Sequence, residues 1–386
     1  MNTATRAFGF LLAGFLACPP PGLPRVGAAP APSKSASAES AKWGEQTSGQ
    51  IRAAFFMADR SLYAEDVGIA RPHKPHPAWL WDASVQLAAL CAAARVEPEK
   101  YLPRVKEYAA GLRAYRTHNH GVTGMDVNPP PKNPDRYYDD NAWAALSLLE
   151  AYELTRDPQD LKLATDAFTF AASGEDAVQG GGLYWREDNH KTKNACSCGP
   201  AMLDALVLHR ITGNAEYLAT GKRLYEWTRK RFQDDDGLIF DSMRVSDGRL
   251  NRSKFSYNSA AVCRAAVLLF QTTKERQYLD EAKRIAGAAE KQWVRKDGII
   301  AGDGKFSHKL LEAFLALYDA DHDPHWLQVT SRSVTALRDH RDKNGWYPQH
   351  WDAVPTTAID PVRLIDQSSA ARAYWLAAGH GVPSKP

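Results

Sequence analysis

The sequence predicts an all-α protein folded as an (α/α)6 toroid, a ring of six inner helices jacketed by six outer ones. Three observations predict it. One short pattern recurs along the chain: an apolar helix end, a turn holding Asp, Asn or Gly, then an apolar or aromatic residue opening an amphipathic helix. Its instances are "ARVEPEKYLPRVKEY", "LTRDPQDLKLATDAF", "ITGNAEYLATGKRLY", "TTKERQYLDEAKRI" and "YDADHDPHWLQVTSR". They fall about 50 to 60 residues apart, the length of a helix pair rather than of one helix. The linkers are also short, so the helices they join are antiparallel neighbours. Finally, the two helices of each pair differ in character. A helix that is apolar on every side is buried, and one with a polar face is peripheral.

Taken in order, the inner helices are expected at 79–94, 141–154, 195–211, 259–270 and 306–318, each followed by an amphipathic partner. In the stretch 216–230, Lys222, Arg223, Glu226, Arg229 and Lys230 share the surface, while Tyr217, Leu218, Gly221 and Leu224 face inward. An opening helix at 51–63 and a closing one at 364–378 complete six alternating pairs. An open solenoid would need polar capping helices, and neither end offers one.

Ahead of this domain, Arg6 precedes an apolar run at 8–17 that is too short to span a bilayer. Pro-rich sequence follows, and Val26-Gly27-Ala28 supplies small residues for cleavage, so 1–28 reads as a signal peptide. Lipid attachment at Cys18 in "GFLAC" is the alternative. Residues 29–42, rich in Ala, Pro and Ser, read as a disordered tether, and 43–386 as one toroidal domain. The expected location is therefore secreted or periplasmic, with no membrane span and a monomeric state. With 44% hydrophobic and 24% charged residues, the 386-residue chain has a globular composition and can bury a large core. The formal charge of +3 drops to roughly +1 without the two leader arginines, which gives no reason to expect a nucleic-acid partner. Cys91, Cys196, Cys198 and Cys263 fall in helices expected to be buried and read as free thiols. A bridge from Cys263 to one of the others stays open, since export permits disulfides.

In this ring the loops entering the inner helices share one mouth. They are long, at 117–139, 173–193, 233–256, 295–305 and 342–363, and long loops gathered on a rigid scaffold are where function sits. One of them ends in "RYYDDNAWAALSLLEAYELT", where Asp139 and Asp140 head an otherwise apolar helix. A single carboxylate satisfies a helix N-terminus; a second must repel it. Neighbouring side chains hold their carboxyls about 5 to 6 Å apart, the separation at which one attacks a sugar and the other donates a proton. Repulsion raises one pKa while helix amides keep the other group ionised. The acidic turn "QDDDGLIFD" lacks the frame of a calcium loop and reads as a solvated turn.

"YYDDNAWAALSLLEAYELT" resembles the Asp-Asp motif of glycoside hydrolase family 76, the endo-α-1,6-mannanases. "GGGLYWREDNHKTKNACSCGPAML", "FSYNSAAVCRAAVLL" and "LIDQSSAARAYWLAA" resemble further motifs of that family, in the same order from about residue 79 to 378. The resemblance implies an (α/α)6 fold and a retaining mechanism with Asp139 as nucleophile and Asp140 as general acid/base. It implies no metal or cofactor and an α-mannan substrate. It also makes Tyr138, Trp185, Asn194, Tyr257 and Asn258 candidates for lining sugar subsites. "GDGKFSHKLLEAF" departs from the family pattern at Ser307 and His308, which leaves the distant subsites open; His308 and His190 read as packed or surface residues. Two other readings remain: a transglycosidase passing mannosyl units to another acceptor, and a non-catalytic glycan-binding protein. The intact Asp pair argues against the second.

Overall fold

The computed structural model describes residues 36–70, 74–129 and 134–382; the expected signal peptide and Cys18 lie outside the described residues. Twelve α-helices are present among them: α1 (Ala36–Phe55), α2 (Leu80–Val96), α3 (Pro98–Leu112), α4 (Tyr138–Thr155), α5 (Pro158–Ser173), α6 (Ala195–Thr212), α7 (Ala215–Phe232), α8 (Ser256–Thr273), α9 (Arg276–Trp293), α10 (Gly304–Asp321), α11 (Pro324–Asp339) and α12 (Leu364–Gly379). The even-numbered helices pack each on the next, and α12 returns to α2, so the inner ring is closed. Helices α3, α5, α7, α9 and α11 lie outside α2, α4, α6, α8 and α10, and α1 packs on α12. The last pair is thus made from opposite ends of the described chain. The (α/α)6 toroid and the expected inner helices are all found.

The opening of the domain differs from expectation. Residues 36–42, read as tether, are helical, and the helix expected at 51–63 ends at Phe55. A buried stripe of Ser40, Trp43, Thr47, Ile51 and Phe55 recurs every three or four residues, the spacing of one helix face. Two of these five, Ser40 and Thr47, are small and polar, so hydrophobicity alone conceals the start of the helix. Past Phe55 the chain turns through β1 (Phe56–Met57), β2 (Leu62–Tyr63) and β3 (Asp66–Val67).

The recurring linker has a physical basis. Helices α4, α6, α8 and α10 each end at a residue in the left-handed region: Arg156, Gly213, Lys274 and His322. That conformation lets its amide bond back to the helix and stops it. The very next residue caps the outer helix in three of these pairs: Asp157, Asn214 and Asp323 accept from the backbone N–H of Gln159, Glu216 and His325. Such side-chain acceptors satisfy amides that a helix start leaves open.

At the opposite end, the mouth loops carry strands that an all-helical reading did not foresee. β4 (Arg116–Asn119) and β5 (Val122–Met125) form a hairpin. β6 (Tyr184–Arg186), β7 (Asn189–Asn194), β8 (Phe240–Arg244) and β9 (Leu250–Lys254) form one antiparallel sheet in that order. β10 (Val362–Arg363) pairs with β3. Cys91, Cys196, Cys198 and Cys263 are buried and free. No described helix is long and apolar enough to cross a membrane.

Candidate active site

Helix α4 starts where two clamps fix it. Before it, the buried Arg136 guanidinium donates to Glu187 (Nε to Oε2, 2.8 Å), to Val122 O (2.8 Å) and to Asn119 O (2.9 Å). It thereby ties the β4–β5 hairpin and the β6–β7 loop to the strand entering α4. After the carboxylates, the Asn141 amide exchanges two bonds with the Met125 backbone, donating at 2.8 Å and accepting at 2.7 Å. Asp139 and Asp140 lie between these clamps in the first turn of an inner helix, half-buried at the mouth of the ring.

Their surroundings make the two carboxyls unequal. Burial raises the Asp139 pKa to about 6, and donors limit the rise. Trp185 Nε1–H donates to Oδ2 at 2.9 Å and the Asp140 N–H to Oδ1 at 3.0 Å; the Cys196 thiol is a third donor. For Asp140, burial comes first, and the charges of Asp139, Asp82 and Asp135 push its pKa further up, well above the carboxylate range. Hydrogen bonds to the charged form favour ionisation of Asp139, while desolvation and like charge favour the protonated form of Asp140. Cys196 stays a thiol, because burial and Asp139 raise its own pKa.

The pair faces a cleft of about 620 Å³. Of the residues singled out in the sequence, Asp139, Asp140, Trp185, Asn194 and Tyr257 line it. Two do not. Tyr138 is buried on the outer side of α4, stacked on Phe170 at 4.9 Å, because the residue before Asp139 is rotated a third of a turn away from the mouth. Asn258, next to Tyr257 on α8, is likewise buried and not part of the lining. His308 is a core residue: its ring bonds to Gly304 O at 3.0 Å, and burial pushes its pKa down to about 3.

The sequence reading named Tyr257 but missed Trp81 and Phe306, which form an aromatic platform with it. Trp81 stacks on Phe306 at 5.9 Å and Phe306 on Tyr257 at 4.3 Å. Flat apolar faces with polar edges suit sugar rings. Asp241, assigned to a solvated turn, also lines the cleft and has a pKa raised by burial. Register is the signal that finds most of these residues. The second or third residue of successive inner helices faces the ring's mouth: Trp81, Asp139, Asp140, Cys196, Tyr257 and Phe306.

A closed helical ring with an unequal carboxyl pair in an aromatic-walled cleft has the make-up of a carbohydrate-active protein. The chain belongs to glycoside hydrolase family 76, whose model, described as "Glycosyl hydrolase family 76", matches residues 47–308. Among solved structures, a GH76 alpha-mannanase from Bacteroides thetaiotaomicron is 27% identical with a TM-score of 0.83, covering 88% of this chain and 96% of that one. An inactive variant of the alpha-1,6-mannanase GH76A of Salegentibacter sp. HEL1_6, with two adjacent aspartates replaced by alanine, was solved in complex with alpha-1,6-mannotetrose. It is 25% identical with a TM-score of 0.75, covering 88% of this chain and 98% of that one. A mannan endo-1,6-alpha-mannosidase of Eremothecium gossypii is 27% identical over 144 residues, 34% of this chain and 32% of that protein. The chain thus aligns with about a third of that relative's length.

Proposed function

We propose that this protein is an exported, retaining endo-glycosidase that hydrolyses α-1,6-mannosidic linkages in mannan or related α-mannosides. The observation that carries the reading is the asymmetry of the pair: Asp139 accepts from the Trp185 indole and the Asp140 amide, whereas the charges of Asp139, Asp82 and Asp135 push the pKa of Asp140 further up. In the first step an Asp139 carboxylate oxygen attacks the anomeric carbon while Asp140 gives its proton to the departing glycosidic oxygen. The bond to the leaving chain breaks and a glycosyl ester on Asp139 forms. Asp140, now ionised, takes a proton from water as that water attacks the same carbon and frees Asp139. Two displacements restore the original configuration. Trp185, Asn194, Tyr257, Trp81 and Phe306 hold the sugar chain, and no step calls for a metal or cofactor. The family membership and the Salegentibacter complex support the choice of sugar. The protein acts as a monomer, exported through the leader at 1–28.

Linear α-1,6-mannan tests this directly. The native protein is expected to release shorter oligosaccharides whose first-formed anomer, read by NMR, is α. Asp139→Asn and Asp140→Asn are each expected to abolish release. Initial β product would rule out the covalent route, and a near-normal rate in either variant would remove that residue from the mechanism.

A further inference from the structure

Beside the cleft, over the four-stranded sheet, lies a second concavity of about 630 Å³, lined by Thr192, Ser242, Arg244, Arg249, Asn251 and Arg252. Sheet register explains its make-up. Asn194 pairs with Ser242 and Ser242 with Asn251; one step outward Thr192 pairs with Arg244, whose N–H donates to Arg249 O at 2.9 Å. Residues two apart on a strand share a face. This face therefore carries an inner row of Asn194, Ser242 and Asn251, and an outer row of Thr192, Arg244 and Arg249.

The concavity abuts the catalytic cleft through two hydrogen-bonded pairs. Thr192 Oγ1 donates to Asn194 Oδ1 at 2.7 Å, and Asn251 Nδ2 to Asp241 Oδ2 at 2.9 Å. In each pair the first residue lines the concavity and the second lines the cleft. Asp241, on the shared wall, also accepts from Ser242 Oγ at 3.0 Å, so its Oδ2 is occupied by donors. Of the three guanidinium groups, Arg244 is paired with Asp247 at 3.3 Å. Arg252 lies over the Phe240 ring at 5.3 Å, a contact that orients the group without neutralising it. Neither Arg249 nor Arg252 has a carboxylate within ion-pair distance among the described residues, although Arg252 is near enough to Asp234 to help lower its pKa.

We infer that this concavity is an anion subsite continuous with the cleft, which takes a phosphate ester carried on the glycan through Arg249 and Arg252. The inference rests on the mannanase reading for the sugar and extends it to a phosphorylated substrate. A phosphate monoester carries about −1.5 to −2 charges at pH 7, which matches two unpaired guanidinium groups, whereas a sugar carboxylate brings one. The guanidinium fork fits two phosphate oxygens at once. A chain whose reacting linkage lies over Asp139 and Asp140 reaches the arginines by running across Asn194 and Asp241.

Calorimetric binding tests this on the full chain, with three probes: an α-1,6-mannotriose bearing a phosphate monoester, the same trisaccharide after phosphatase treatment, and inorganic phosphate. The phosphorylated sugar is expected to bind at least tenfold tighter than the other two, with the preference falling about tenfold for each of Arg249→Ala and Arg252→Ala. Equal binding of the two trisaccharides, or a preference that survives both substitutions, would overturn the subsite. Inorganic phosphate binding as tightly as the phosphorylated sugar would also overturn the assignment, since the phosphate would not need to be glycan-borne. Binding is read on the full chain carrying Asp139→Asn and Asp140→Asn, in the presence or absence of each arginine substitution, so that no probe is cleaved. If this variant binds the phosphorylated sugar while the native protein leaves mannan intact, the hydrolase reading falls and this one stands.

Discussion

Asp139 and Asp140 are chemically identical side chains, and what separates them is one indole, one thiol and one backbone amide. In the proposed mechanism Asp139 attacks only when ionised, so kcat/KM is expected to fall as pH drops below about 6. In the same mechanism Asp140 donates only when protonated, so its raised pKa is expected to set the alkaline limb. The two titrate as a pair, so the limbs report properties of the pair rather than of either residue. Trp185→Phe tests the asymmetry. It keeps an aromatic face on the cleft but removes the N–H that donates to Asp139 Oδ2. A donor to the charged form lowers a carboxyl pKa, so its loss raises the Asp139 pKa and moves the acid limb to higher pH, by about one unit. A pH profile with the acid limb unmoved would reduce Trp185 to a sugar-stacking surface. The Asp pair was legible in the sequence because repulsion between adjacent carboxylates has no purpose in capping. Cys196 was not, because a buried thiol reads the same whether it packs against leucine or donates to a carboxylate.

The elements were legible in proportion to how much of their surface they bury. Helices α2, α4, α6, α8 and α12 are enclosed nearly all round, so their sequences run apolar through whole turns and betray the ring without any motif. Helix α1 buries one stripe and fills part of it with Ser40, Thr47 and Ser48, where the Trp375 indole donates to Ser48 Oγ at 2.9 Å. The start of α1 is Ala/Ser-rich, with Ser40 as its buried residue, which is why 36–42 passed for tether. The strands at the mouth are short and mostly exposed along one face, so they leave no clean period-two pattern. The linkers were legible as a repeat before their geometry was known, and their geometry makes a prediction. Asn214 Oδ1 accepts from Glu216 N at 2.9 Å at the start of α7. Asn214→Ala leaves that amide to solvent and is expected to cost about 1 kcal/mol of stability with catalysis unchanged, measured by urea unfolding beside a mannan assay. An unchanged midpoint would show that packing of α7 on α6 fixes the helix start without the cap.

Across the whole molecule, the ring is held by charge as well as by apolar packing. Away from Asp139 and Asp140, Arg372 of α12 donates to both oxygens of Glu150 on α4 (2.8 and 2.9 Å), to Glu312 on α10 (2.9 Å) and to Ala88 O on α2 (2.6 Å). Arg95 of α2 adds a bond to Glu150 at 2.9 Å, and Arg264 of α8 one to Glu312 at 2.6 Å. Five of the six inner helices therefore meet in one buried ion network. Such a network is weak evidence for net stability, since desolvation offsets much of the attraction, but removing one member strands the charges left behind. Arg372→Met is expected to cost about 3 kcal/mol at pH 7, the low end for a broken buried pair, because Arg95 and Arg264 still face the two carboxylates. The pH dependence identifies the cause. Despite burial, the arginines hold Glu150 down at about 2, against an ordinary 4.5. A carboxyl whose pKa is depressed by folding contributes stability that is present above its unfolded value and lost as pH falls through the folded one. The network's contribution is therefore full above about pH 4.5 and fades towards pH 2. In Arg372→Met the stranded carboxylates protonate more readily, so the gap in urea midpoint between native and variant should be widest at pH 7 and narrow by pH 3. The lost bond to Ala88 O, which does not titrate, should leave a residue of destabilisation at both. A gap of the same size at pH 3 and pH 7 would mean that Arg372 supports the ring through packing and that one backbone bond alone, and the ion network would drop out of the account of what closes the toroid.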